Sequence, residues 1–458
     1  MGTKLTLLGK ITVIKSFALP KLIYPLSVLI SPNETTIKEI KKCMFDFIWE
    51  NKPDKIKRST LTNNYSEGGL KMIDIEKFII SLKASWIKRL FYAEVGHDSQ
   101  LKAYYDHKLN VFGGNLIFES SLSQTDIKAL FKKCSFLRDI ILSWMLVKNT
   151  DKEPIIDREI LWNNSNIKID KKTVFFKSWF EKGIKLIKHI FDYRTKDFYS
   201  FKDMVYIFNI PETDFLKYNS LKYSIPKKLK LLLNETNINQ EARSSLLENM
   251  VNSKQVNKLL YTHQFKSKPL DTIKSEIKWN SLFENQDLDW NKIYTNVISA
   301  TIDIKLRAFQ YKFLHRITPT NKLLFKQNLT NSNLCDFCSM HIETLQHLYW
   351  DCMTVQTFWT NLKNKCNHLN IRIAIDLKSI CFGEVNNYRI HKANNFIIFC
   401  AKYYIFICKC RKTIPNSTCF KNYLSSRLNI EKQIAFQQGK LEQHNTIWGK
   451  YLPLTTIT

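Results

Sequence analysis

The residues of this chain best suited to chemistry by type and spacing are Cys335 and Cys338, two residues apart, followed by His347 and Cys352. Two thiolates at that spacing reach one ion from a single tight turn. A further imidazole and thiolate complete a tetrahedral set that suits Zn2+. Four protein ligands leave no open position, so the expected role is structural. Bound zinc would supply folding energy to a small segment, 335–362, that has no core of its own. His341 competes as the nitrogen ligand. His347 is preferred because the residues after it run directly into Cys352 and the apolar stripe Val355, Phe358, Trp359 and Leu362. The competing reading is four reduced side chains that hold no metal.

The elements that must position this set are helical by pattern. Upstream, residues 279–325 read as helical, with Ile298, Ile302, Leu306, Phe309 and Phe313 at spacings of three or four and a turn at Thr318-Pro319-Thr320-Asn321 before a new helix. Their other face carries Lys305, Arg307, Lys312, His315 and Arg316. Such a face is either solvated surface or a phosphate contact. Downstream, the apolar run from Phe396 to Cys408, interrupted by Lys402, is too short to cross a bilayer and reads as a buried helix. Cys400, Cys408 and Cys410 read as core, as does Cys43 on the apolar helix Ile37–Ile48.

The N-terminal residues form further periodic helices, with Ile75, Phe78, Ile79, Leu82, Trp86 and Leu90 on one stripe. Pro20 and Pro25 are expected to break the preceding apolar stretch. A basic loop, Lys52 to Arg58, and the turn Glu67-Gly68-Gly69 separate the helices. One helix is expected from Asp126 to Met145. From 159 to 226 the aromatics Trp162, Phe175, Phe176, Trp179, Phe180, Phe191, Phe198, Phe201 and Phe208 imply a packed module, with base stacking as a minor alternative. Residues 234–273 are polar and read as a linker or boundary. The expected fold is mainly α: a multi-domain helical chain with few, short strands. Its expected domains are a helical unit 1–95, an aromatic-rich connecting region 96–234, a polar linker 235–274 and a helical C-terminal domain 275–458.

Composition bounds the function. Among 458 residues, 69 Lys+Arg against 41 Asp+Glu give a net charge of +28, which favours a polyanionic partner. An apolar share of 44% excludes a disordered basic tail. The 11 cysteines are odd in number, and no apolar leader precedes a small-residue cleavage site. A reducing compartment, and metal rather than disulfide, follow from that. Two-metal polymerase chemistry needs paired carboxylates, yet no Asp-Asp dipeptide occurs, nor does a phosphate loop or a nucleophile motif. The chain therefore reads as non-catalytic by itself.

The stretch from Leu5 to Pro25 resembles the thumb of the reverse transcriptase of LINE-type (non-LTR) retrotransposons. So do Phe47 to Arg58, Gly68 to Ile75 and Ser85 to Arg89. Leu161 to Asn163, Lys177 to Phe180, Gly183-Ile184 and Ser224 to Pro226 resemble the region between that thumb and the C-terminal domain. Phe313 to Asn321, and Cys335 to Trp359 with Glu343, His347 and Trp350 to Cys352, resemble the family's zinc-binding segment. The resemblance implies a chain that starts just after the catalytic palm, so a truncated remnant or an incomplete gene model of an active RNA-directed DNA polymerase is expected. It also implies RNA and DNA partners, namely template–primer and element RNA, and residence in nucleus and cytoplasm, with no membrane. Charge and position single out Lys10, Lys15, Lys21, Lys55, Lys57, Arg58, Arg307, Lys312 and Arg316 as the expected backbone contacts. The alternative is a zinc-stabilised protein-interaction scaffold whose basic faces are merely solvated.

Overall fold

A computed structural model describes residues 5–92, 97–149, 158–235, 245–265, 272–284, 287–385 and 388–455. The fold is mainly helical, and its named strands are two-residue pairs: Lys168–Ile169 with Lys172–Thr173, and Phe191–Asp192 with Asp197–Phe198. The chain forms two compact units, each discontinuous in sequence. One comprises Met1–Ser16, Lys42–Ile73 and Leu270–Thr458; the other comprises Phe17–Lys41 and Asp74–Pro269. The serial boundaries expected from composition cut the chain differently. Residues 1–95 contribute to both units, and the boundary expected near 95 lies outside the described residues. Composition changes along the chain follow sequence order, whereas burial joins segments far apart in it.

Among the described residues, the second unit has two apolar cores. One gathers Trp86, Ile87, Leu137, Ile141 and Trp144 with Leu247, Met250 and Leu260. The last three belong to helices Leu246–Asn252 and Val256–His263, which lie inside the expected linker. Their apolar residues are sparse but fall on the buried side, and a capping box between Ser245 and Glu248 starts the first. The single helix expected over 126–145 is two, Gln124–Leu130 and Ser135–Lys148, separated at Phe131–Cys134. The other core is the aromatic module, with Trp162 and Trp179 fully buried. Their indole N–H groups donate to the Ile184 carbonyl at 2.6 Å and to Asp214 at 2.9 Å. These rings are core rather than stacking platforms. Pro25 sits inside helix Leu19–Val28 rather than ending it.

The first unit packs one large core around helices Lys274–Leu282, Trp290–Ala300, Ile304–Leu314, Met353–His368, Tyr388–Arg411 and Ser417–Gln437. The helical stretch expected before the Thr318–Asn321 turn is several short helices, with Asp289 and Asp303 as side-chain N-caps, and the new helix expected after that turn is Asn321–Lys326, capped by Thr320. Phe396, Ile397 and Cys400 are buried in the long Tyr388–Arg411 helix, as the apolar run predicts. Cys410 and Cys43 are exposed, contrary to expectation, because each falls on the solvent side of its helix. Lys402 is fully buried. Its ammonium donates to Gln310 at 2.7 Å and to the Cys381 carbonyl at 3.1 Å, and burial pushes its pKa down to about 7.

The Gly68 turn fixes the remaining segment. Gly68 has φ +71°, and a Cβ there would lie 2.6 Å from Ile273 and 2.8 Å from Tyr294. Its carbonyl accepts from the Tyr311 hydroxyl at 3.2 Å and from His315 Nε2–H at 2.9 Å. His315, expected on a basic surface face, is instead buried between Tyr294 and Tyr311. Burial lowers its pKa to about 4, opposed by the Gly68 hydrogen bond. The unfolded chain takes up this proton near pH 6.5 and the folded chain only near 4, so stability falls as pH drops through that window. Between pH 7 and pH 5 the wild type is expected to lose about 2 kcal/mol more than His315→Gln, measured by urea denaturation. Equal acid losses in the two proteins would exclude His315 as the group responsible.

Candidate metal centre

Local structure brings the four ligands together. An antiparallel bridge between Leu334 and Ile342 closes a short hairpin, and the Cys335 amide donates to the His341 carbonyl at 2.9 Å. The Ser339 amide donates back to the Cys335 carbonyl at 2.8 Å, and Ser339 has φ +55°. This is the tight turn that the Cys335–Cys338 spacing requires. A π-helical turn, His347–Asp351, then delivers Cys352 to the start of helix Met353–His368.

The Cys335, Cys338 and Cys352 sulfurs and a His347 ring nitrogen all lie within 4.8 Å of one another. Cys335 Sγ is 3.9 Å from Cys352 Sγ, and Cys338 Sγ is 3.4 Å from His347 Nε2. With Zn–S near 2.3 Å, the edge of a tetrahedral site is about 3.8 Å, so the donor set fits zinc. Three thiolates and an imidazole fill the coordination sphere, and the site is structural by that count. His341 stands beside the cluster with its ring centroid 5.4 Å from that of His347. At Cys338, burial pushes the thiol pKa up but is outweighed by hydrogen bonds from the Met340 and His341 backbone and from His341 and His347, leaving it at about 6. Cys335 is pushed up to about 12 by burial and by the neighbouring sulfurs.

The segment is not the coreless unit that its length suggests. Cys335, Leu345, Leu348, Cys352, Val355, Phe358 and Trp359 all belong to the main core of the first unit. A buried ionic knot ties the hairpin in. Glu343, fully buried, lies 2.6 Å from Lys409 Nζ and accepts from the Asn321 amide at 2.7 Å. Lys409 also reaches Asp336 at 2.9 Å and Asn321 Oδ1 at 2.7 Å. Glu343 was legible only through the family resemblance, and no local signal in the sequence marks Lys409 as its partner.

The basic residues are scattered. Lys10 is buried, donating to the Ile48 carbonyl at 3.0 Å and pairing with Glu50 at 2.8 Å. Arg307 caps the Thr301 and Ile298 carbonyls at 2.7 and 2.8 Å. Arg316 lies over Trp279 at 4.4 Å. Arg58 pairs with Asp54 at 2.7 Å and lies over Phe45 at 4.5 Å. Lys15 is half-buried, and burial together with Lys71 lowers its pKa. Lys21 and Lys57 are exposed. Of the expected set, Lys10, Lys55 and Lys312 line one common cleft, joined by Lys52 from the start of the same basic loop as Lys55.

Metal analysis of the purified chain is expected to find one zinc per molecule, with Cys352→Ser losing it and melting at a lower temperature. Glu343→Gln strands Lys409 in the core with only Asp336 as a charge partner. It is expected to cost about 3 kcal/mol, read by denaturation of the zinc-loaded protein. A neutral effect would show that the knot is dispensable.

Residues 274–359 match the family model described as zinc-binding in reverse transcriptase, a stretch that contains all four ligands and the helices packed behind them. That match ties this part of the chain to reverse-transcriptase-related proteins.

Proposed function

We propose that this chain is a nucleic-acid-binding portion of a LINE-type retrotransposon reverse transcriptase, engaging template–primer and element RNA. The observation that carries the reading is the zinc-binding match over 274–359 with its complete Cys3His set. A surplus of 28 positive charges supports a polyanionic partner, because neutralised phosphates release counterions. In this reading the N-terminal helices act as a thumb, and no polymerase chemistry comes from the chain itself, whose sequence has no Asp-Asp pair. Such a protein would work in both cytoplasm and nucleus.

A scaffold role is the second reading. It draws support from Tyr206, Leu216 and Tyr223 in the second unit, which are 90%, 76% and 85% exposed.

Binding of single-stranded RNA and of a primer–template duplex, titrated with salt with and without a zinc chelator, separates the two. The nucleic-acid reading expects affinity to fall steeply with salt, with little sequence preference. Loss of tight binding in chelator would put the zinc segment in the contact surface, and unchanged binding would put the contacts elsewhere. Absence of binding at low salt would overturn this reading and favour the scaffold.

A further inference from the structure

Three pieces of chain far apart in sequence line a cleft of about 410 Å3 in the first unit: Leu5–Lys10, Ile48–Lys55 and Lys312–Pro319. Its walls carry four lysines, Lys10, Lys52, Lys55 and Lys312, against one carboxylate, Glu50. Glu50 is committed to Lys10. Lys52 and Lys55 are exposed and form no ion pair among the described residues, so the cleft keeps a positive surplus. The wall between the charges is apolar, from Leu5, Ile48, Ile317 and Pro319.

Trp49 also lines the cleft and is 7% exposed, and its buried indole N–H has no acceptor among the described residues. The hydroxyl of Thr318, between two lining residues, is likewise buried without a partner. Ammonium and indole groups only donate, so the complementary ligand is one rich in acceptors, carrying negative charge. A phosphate meets that description. The volume exceeds what a bare phosphate needs, and the apolar wall offers contact area for a sugar or base.

We propose that this cleft holds one nucleotide unit of a nucleic-acid strand, with its phosphate on Lys52 and Lys55 and its sugar or base against the apolar wall. The proposal rests on the nucleic-acid reading above. It adds a site that joins lysines outside the zinc-binding match, Lys10, Lys52 and Lys55, to Lys312 within it.

The test uses the full zinc-loaded chain and a 30-nucleotide single-stranded RNA of mixed sequence. Wild type is compared with Lys52→Gln/Lys55→Gln and with a control pair in the other unit, Lys177→Gln/Lys202→Gln, both exposed. Losing the one phosphate that this lysine pair holds should shrink the slope of log affinity against log salt by about 0.7, the value per neutralised phosphate on a single strand. The control pair should shrink it by less than half as much. An equal loss in the control pair would reduce the effect to general charge and overturn the site. A steep wild-type slope unchanged in the cleft variant would overturn the cleft while leaving the nucleic-acid reading intact. A wild type that does not bind at all would overturn the reading itself. Inorganic phosphate at matched ionic strength distinguishes the sources: if it removes the difference between wild type and variant, the cleft takes free phosphate and the strand assignment falls.

Discussion

A carboxylate and an ammonium placed where neither can reach water hold the first unit in register. Glu343 and Lys409 come from the zinc hairpin and from the last turn of the longest helix. Desolvating both is costly unless the remaining lone pairs and protons are satisfied. Asn321 and Asp336 do that, one giving its amide and accepting from Lys409, the other sharing the ammonium. Because the knot works only when all four are in place, it fixes how the hairpin, the Thr320-capped helix and the Tyr388–Arg411 helix meet. The metal set therefore sits on a preformed frame. The ligands close a loop already anchored at Glu343, rather than ordering an isolated peptide.

The same logic of internal satisfaction governs much of the chain's basic surplus. A lysine or arginine in a sequence reads as surface, but Lys10, Arg307, Lys402 and Lys409 turn to carbonyls, amides or carboxylates inside the fold. The stems of these side chains pack as apolar material while the heads find donor-poor pockets. What remains for solvent is a smaller positive set than composition suggests, and the cleft around Lys52 and Lys55 is one place where it gathers.

Legibility from sequence tracked the distance between partners. The zinc ligands lie within one short stretch and their chemistry is specific, so Cys335, Cys338 and Cys352 could be named from type and spacing, and His347 was preferred over His341 by the residues that follow it. The helical class followed from periodicity. His315 could not be read, because its acceptor is the Gly68 carbonyl in a distant turn, and a histidine beside arginines looks like one more basic side chain. Lys10 failed for the same reason, its partners lying on another helix. Helices Leu246–Asn252 and Val256–His263 were missed because a few well-placed leucines, not overall apolarity, bury them.

The interleaving of the two units sets an order on synthesis. Segments Met1–Ser16 and Lys42–Ile73 belong with residues from Leu270 onward, which leave the ribosome nearly 200 residues after Ile73. At ordinary elongation rates that is a delay of roughly 10–40 s. Asp74–Pro269 emerges during that interval, so that Phe17–Lys41 and Asp74–Pro269 are complete before the last segment of the first unit begins. Leu61, Leu70 and Met72, buried in the finished molecule, must wait through that interval with their surfaces open to water, to chaperones or to the wrong neighbour.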